Sequence, residues 1–127
     1  MTQIKENYMI QGIGIDIIDL HRIKKLIKRN PRFITKVLAS KERVYYHTLV
    51  SEKRKVEYVA GRFAAKEALG KALGTGLGKL CFTDIAVLND DSGKPVLYFP
   101  GDHLYHAHVS ISHSDTSAVA NVVLDSY

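Results

Sequence analysis

The 127-residue chain contains one cysteine, Cys81, so no internal disulfide is available and a reducing cytoplasm is the expected compartment. No apolar run approaches the roughly 18 residues of a membrane span, which argues against a transmembrane helix. MTQIKENY at the start lacks the apolar segment of a secretory signal. Repeats and low-complexity tracts are absent, and the length suits one domain with no linker to a second core. What remains is an ordinary globular composition, 46% hydrophobic and 24% charged.

The charge is unevenly spread. The net value is +5, but the window from His21 to Lys71 holds fifteen Lys/Arg against four acids, while the rest of the chain holds three against nine. Such a polarised molecule favours a polyanionic partner: nucleic acid, a membrane surface, a phosphorylated small molecule or an acidic protein.

Residues 1–8 are polar and patternless and read as a leader or disordered extension, with the single domain covering 9–127. Met9 to Ile18 is strand-like and rich in β-branched residues. Asp19 is a plausible N-cap for a helix ending at Asn30-Pro31, and a shorter helical piece covers Arg32–Leu38. Ser40 reads as the cap of Lys41–Leu49. Ser51 opens the longest helix, which Gly74-Thr75-Gly76-Leu77-Gly78 ends near Leu73. Strands are expected at Phe82–Leu88, Val96–Phe99, His108–Ser112 and Ala118–Leu124, with a turn at Asn89–Gly93. Strand, helices, then strands predicts an α+β fold.

Some residues break their own pattern. One face of the first strand carries Gly12, Gly14 and Asp16, a shelf that a ligand, another chain or a packed helix can approach closely. On the long helix, Val56, Val59, Ala60, Phe63 and Gly70 form a stripe with Glu67 near its middle, where an apolar residue is expected. A carboxylate there must be paired, protonated or metal-bound. Lys71 at i,i+4 offers an internal ion pair. Alternatively, Glu67 is a metal ligand and Arg62, Lys66 and Lys71 surround a phosphate. Two carboxylates on separate elements, Asp16 and Glu67, suit Mg²⁺, whose shell water and substrate phosphate complete. His103, His106 and His108 are a rival metal cluster, but their spacing matches no zinc pattern. Gly74–Gly78 follows a helix, so it is neither a P-loop nor a dinucleotide fingerprint. On the helix from Asp19 to Asn30, Arg22, Lys25 and Arg29 share a face with Leu26, and Phe33 continues it. That combination suits an acidic amphipathic partner.

Three segments in order resemble one family. They are Gly12-Ile13-Gly14-Ile15-Asp16, then Gly61-Arg62-Phe63-Ala64-Ala65-Lys66-Glu67-Ala68 running on to Lys71-Ala72-Leu73-Gly74-Thr75-Gly76, then Val109-Ser110-Ile111-Ser112-His113-Ser114. They resemble the 4′-phosphopantetheinyl transferases of the small bacterial holo-[acyl-carrier-protein] synthase type, from Met9 to about Leu124. The resemblance implies an enzyme with an antiparallel sheet packed on a long helix, a single small domain forming a trimer with active sites at subunit interfaces. It implies transfer of 4′-phosphopantetheine from coenzyme A to a serine of apo acyl carrier protein, a step of fatty acid biosynthesis, leaving adenosine 3′,5′-bisphosphate. By position, Asp16 and Glu67 match the Mg²⁺ ligands, Lys71 the lysine near the diphosphate, Arg62 an arginine at the 3′-phosphate end, and His113 a histidine lining the coenzyme A site. Asp16, Glu67, Lys71 and His113 are the expected catalytic set. Gly74 and the Gly93-Lys94-Pro95 turn, with Gly93 and Pro95, are expected to border the nucleotide. The Arg22, Lys25, Leu26, Arg29 and Phe33 face becomes the carrier dock. The family often has Ser where this chain has Gly70, so one hydrogen bond is missing or supplied by water.

Magnesium and a lysine beside the diphosphate would neutralise charge that develops during phosphoryl transfer. The serine proton is expected to pass to Glu67 acting through water, with a metal-bound water as the alternative acceptor. The rival reading is a nucleic-acid-binding module using the basic helices. It leaves Glu67 and the Asp16 shelf unexplained, and no base-stacking aromatic motif is present. The expected partners are carrier protein and coenzyme A, not nucleic acid or membrane.

Overall fold

The first strand, β1 (Ile10–Asp19), sets the frame of the computed structural model, which describes residues 9–126; the expected leader 1–8 lies outside them. The helices α1 (Leu20–Arg29), α2 (Arg32–Val37), α3 (Ser40–Tyr46) and α4 (Glu52–Leu73) follow. The chain finishes with β2 (Ala86–Asn89), β3 (Pro95–Tyr98), β4 (Tyr105–His113) and β5 (Ser117–Ser126). All pairings are antiparallel and fall into two sheets, β1-β5-β4 and the hairpin β2-β3.

Local chemistry explains most boundaries. Asp19 Oδ1 accepts the Arg22 amide at 3.0 Å and Ser51 Oγ the Arg54 amide at 3.1 Å, so both helices start with an orphan donor satisfied. Gly74 closes α4 at φ 82°, a left-handed conformation that glycine adopts without Cβ strain. Two of the differences from the sequence reading have a clear local cause. Ser40 is the first residue of α3 rather than its cap; Glu42 instead reaches back to the Ala39 amide at 2.8 Å. Phe82–Asp84 forms a 3-10 turn, because Asp84 accepts the Cys81 amide at 2.9 Å and shortens the expected strand.

β1 and α4 come into backbone contact. A Cβ at Gly12 would lie 1.8 Å from the Ala72 carbonyl oxygen, and one at Gly14 1.9 Å from that of Ala68. The shelf read from the sequence is therefore filled by the long helix. The opposite face of β1 is open: Ile13, Ile15 and Ile17 are 60, 56 and 67% exposed.

α4 is covered nearly all round, by the sheet, by α1 to α3 and by the hairpin. A single buried stripe was the wrong picture, and it misplaced the buried charge. Lys66, expected at the flank of the stripe, is fully enclosed with Glu42, whereas Glu67 is half-buried. Lys66 Nζ is 2.5 Å from Glu42 Oε1 and also donates to the Val37 and Phe82 carbonyls at 2.7 and 3.0 Å. Burial pushes the Lys66 ammonium below its ordinary range, with Glu42 opposing.

Gly14→Ala should cost stability at or above the upper end of the ~1–3 kcal/mol usual for overpacking, since backbone blocks the new methyl. Gly61→Ala meets only the tip of Ile111 at 2.9 Å and gains about 1 kcal/mol of helix propensity, so it should be near neutral. Urea denaturation of the two variants measures the contrast.

Candidate active site

The close seam between β1 and α4 brings Asp16 to Lys71. Lys71 Nζ donates to the Ile15 carbonyl at 2.9 Å and to Asp16 Oδ1 at 3.3 Å. Lys71 is more than half exposed, while Asp16 is largely covered. The i,i+4 pair between Glu67 and Lys71 does not form, because the lysine turns across to β1 instead. Glu67 sits one helical turn before Lys71. Among the described residues it has no hydrogen-bonding or ionic partner, so its carboxylate remains available for a ligand.

These donors suit magnesium. Both are hard carboxylate oxygens on separate elements, and one lacks a partner among the described residues. Among the described residues no group of three or more His, Cys, Asp or Glu side chains is placed to hold a metal, so substrate oxygens and water would have to complete the shell. His108 of the rival cluster faces Asp125, Nε2 to Oδ2 at 3.1 Å.

Gly74 follows at the end of α4, in the glycine loop. Gly70, the departure from the family pattern, lies beneath that loop: a Cβ there would be 3.1 Å from the Leu77 nitrogen and 3.2 Å from its Cγ. A serine would crowd the loop.

A second group forms around Arg62. Its Nε and Nη2 donate at 3.3 Å to the Val87 carbonyl and to Asn89 Oδ1, and its guanidinium lies 4.2 Å from the Tyr58 ring centroid. Burial pushes the Tyr58 phenol up to about 12, against the opposing Arg62 cation. Arg62 thereby meets the hairpin whose turn carries Gly93 (φ 88°) and Pro95. Asp90 preforms that turn by accepting from Ser92 N, Ser92 Oγ and Lys94 N at 2.7–2.9 Å. Those bonds hold its exposed carboxyl below the usual range.

His113, at the end of β4, belongs to a third group. Its Nδ1 is 3.5 Å from Oε2 of buried Glu57, whose Oε1 takes a 2.9 Å bond from Arg54. Asp16 and His113 lie on opposite edge strands of the three-stranded sheet, separated by two strand spacings of roughly 5 Å each. The chain thus gathers Asp16, Glu67 and Lys71 but leaves His113 apart. Sequence reasoning missed Glu57, Arg54, Tyr58 and Asn89. Only the Arg54–Glu57 spacing of i,i+3 left a readable signal.

Arg22, Lys25 and Arg29 are exposed on α1. Leu26 and Phe33 are half-buried against the core, Phe33 in a chain of rings with Phe63 and Phe82 at 6.1 and 5.2 Å. Among the described residues no helix is long and apolar enough to cross a membrane.

Residues 12–123 match the model of the 4′-phosphopantetheinyl transferase superfamily. The holo-[acyl-carrier-protein] synthase of Oceanobacillus iheyensis is 55% identical over 117 residues, 92% of this chain and 98% of that protein. A crystal structure of the Bacillus anthracis holo-(acyl-carrier-protein) synthase in complex with CoA (3′,5′-ADP) superposes with a TM-score of 0.86. It is 51% identical and covers 94% of this chain and 99% of its own. The Helicobacter pylori holo-[acyl-carrier-protein] synthase in complex with coenzyme A superposes at 0.76, with 35% identity and 88% and 98% coverage. The fold and these matches place the chain in the 4′-phosphopantetheinyl transferase superfamily. Within it, the chain belongs to the holo-[acyl-carrier-protein] synthase family.

Proposed function

We propose that this protein transfers 4′-phosphopantetheine from coenzyme A to a serine hydroxyl of an acidic apo acyl carrier protein and releases adenosine 3′,5′-bisphosphate. The transferase unit spans 9–127, with 1–8 as a leader or extension, and works in the cytoplasm. The carrying observation is Glu67, a half-buried carboxylate without a partner among the described residues, beside the Asp16–Lys71 pair.

Asp16 and Glu67 would hold Mg²⁺, which when bound supplies positive charge to the diphosphate. Lys71 exchanges its long contact with Asp16 for a phosphoryl oxygen and opposes the charge that grows as the bond to the departing adenosine bisphosphate breaks. The serine oxygen forms the new P–O bond, and its proton passes to Glu67 through water. Arg62 and His113 are assigned to the 3′-phosphate end of coenzyme A, and Gly74, Gly93 and Pro95 to its borders. Holding nucleophile and diphosphate in line supplies the rest of the gain.

A homotrimer completes the site. Asp16 and His113 lie on opposite edge strands and meet opposite ends of α4, so one protomer would offer the carboxylates and its neighbour the histidine and Arg62. The open isoleucine face supports this assembly, and so does Asn121. Asn121 lies on the same face, and its Oδ1 is buried yet accepts no hydrogen bond among the described residues.

Intact-mass spectrometry of apo carrier protein incubated with enzyme, coenzyme A and Mg²⁺ should show one added phosphopantetheine, lost with EDTA. No gain with folded protein and several carriers would sink the reading. Asp16→Asn and Glu67→Gln should each lower kcat by about 10²-fold or more at nearly unchanged melting temperature. A Glu67→Gln variant refolded with a His113→Ala variant should regain activity that neither has alone, because mixed trimers contain some intact interfaces. Ile15→Glu should give monomers by light scattering, without transfer. Arg22→Glu should raise KM for the carrier several-fold and leave kcat near wild type. Wild-type KM should also rise with salt, as the Debye length falls from ~10 Å at 0.1 M to ~3 Å at 1 M.

A further inference from the structure

The enclosed Lys66–Glu42 pair has no place in the reaction just described, yet its bonds reach five segments. The three ammonium protons of Lys66 on α4 meet three acceptors: Glu42 Oε1, the Val37 carbonyl at the end of α2 and the Phe82 carbonyl of the 3-10 turn. Glu42 also accepts the Ala39 amide on Oε1 and the Val87 amide on Oε2, each at 2.8 Å. Neither side chain is exposed to solvent. The network is fully satisfied, and its directional bonds are met in one arrangement only.

Val87 is the residue that gives this network a functional consequence. On the edge of β2 away from β3, its amide donates to Glu42 while its carbonyl accepts from Arg62, one helical turn before Lys66. The hairpin is thus gripped on two consecutive polar groups by side chains that α4 and α3 hold in place. Two residues on, Asn89 takes a second bond from Arg62 and pairs with Pro95 across the hairpin. An apolar contact at the same place would let the hairpin slide along α4, since it carries no directional preference.

We propose that Glu42 and Lys66 are positioning residues for the nucleotide half of the site: their ion pair fixes the β2–β3 hairpin, and with it the Gly93–Pro95 turn, in register with Arg62. This rests on the reading of Arg62 and that turn as coenzyme A contacts. The pair acts through Val87 and touches no substrate itself.

The double variant Glu42→Leu/Lys66→Met removes both charges without stranding either. Glu42→Gln keeps the shape of the side chain, but its single carbonyl cannot replace the two carboxylate oxygens that serve Lys66, Ala39 and Val87. Hydrogen exchange of the Val87 and Asn89 amides, calorimetric binding of coenzyme A and kcat at saturation are compared with wild type. In the folded double variant both amides should exchange about tenfold faster, and coenzyme A should bind about tenfold more weakly. kcat should stay within about threefold. Glu42→Gln should move the same quantities in the same direction by less. Unchanged exchange at Val87 in either folded variant overturns the positioning role. Faster exchange with unchanged coenzyme A affinity overturns the link to the nucleotide, and the fault then lies in assigning the hairpin to it. Loss of kcat with unchanged affinity also overturns the proposal, because it would place the pair with the carboxylates. Coenzyme A binding by wild type is scored separately, so failure of the transferase reading is not confused with failure of this one.

Discussion

A helix can approach a strand to backbone distance only where the strand has no side chains in the way, and Gly12 and Gly14 provide that gap. The carbonyls of Ala68 and Ala72 occupy the space two Cβ atoms would need. Much else depends on this contact. It brings Lys71 within reach of both the Ile15 carbonyl and Asp16, and it sets Glu67 beside the same edge of the helix. It also turns the isoleucines of β1 outward, because alternate residues of a strand must face opposite ways. A site and an unpartnered apolar face therefore arise together from one packing decision.

Charge is distributed by the same economy. Most of the cationic excess between His21 and Lys71 lies on the surface of α1 to α4, where it would favour an acidic partner. Two cations of α4 are withdrawn from that pool. Arg62 satisfies the Val87 carbonyl on the outer edge of β2, and Lys66 holds Glu42, which accepts the Val87 amide on the same edge. Removing one partner of such a buried pair typically costs ~3–5 kcal/mol, whereas an apolar replacement of both is often neutral. A stability argument alone therefore does not explain why charges stand there, and geometry does.

Much of this was legible in the residues. Asp19, Ser51 and Gly74 marked helix ends, because capping is local chemistry. The Asn89–Gly93 turn announced its hairpin for the same reason. Asp16 and Glu67 stood out as carboxylates among small or apolar neighbours. Lys66 and Glu42 were not legible, since their partnership spans 24 residues and helix periodicity assumes one buried face. α4, rich in alanine and packed on several sides, violates that assumption. The outward turn of Ile13, Ile15 and Ile17 was hidden because an apolar strand face reads the same whether it covers a core or another subunit. Phe82–Asp84 reads as strand until Asp84 bends back on Cys81.

The proposed division of the site between copies would follow from the size of the chain. A three-stranded sheet with one long helix across it has two edges, and polar groups that must stay accessible collect at both. Asp16 and Lys71 use one edge and His113, held by Glu57, the other. A helix packed tightly enough to align Lys71 with β1 also covers the strand between those edges, β5, on the same face. No side chain of ordinary length bridges that cover. Enlarging the cleft within one protomer would loosen the contact that aligns the carboxylates. Joining edges from two protomers, as proposed, would preserve it, and the exposed isoleucine face offers apolar surface for that purpose. On this reasoning the exposed face and the proposed divided site would be two results of the same glycine gap.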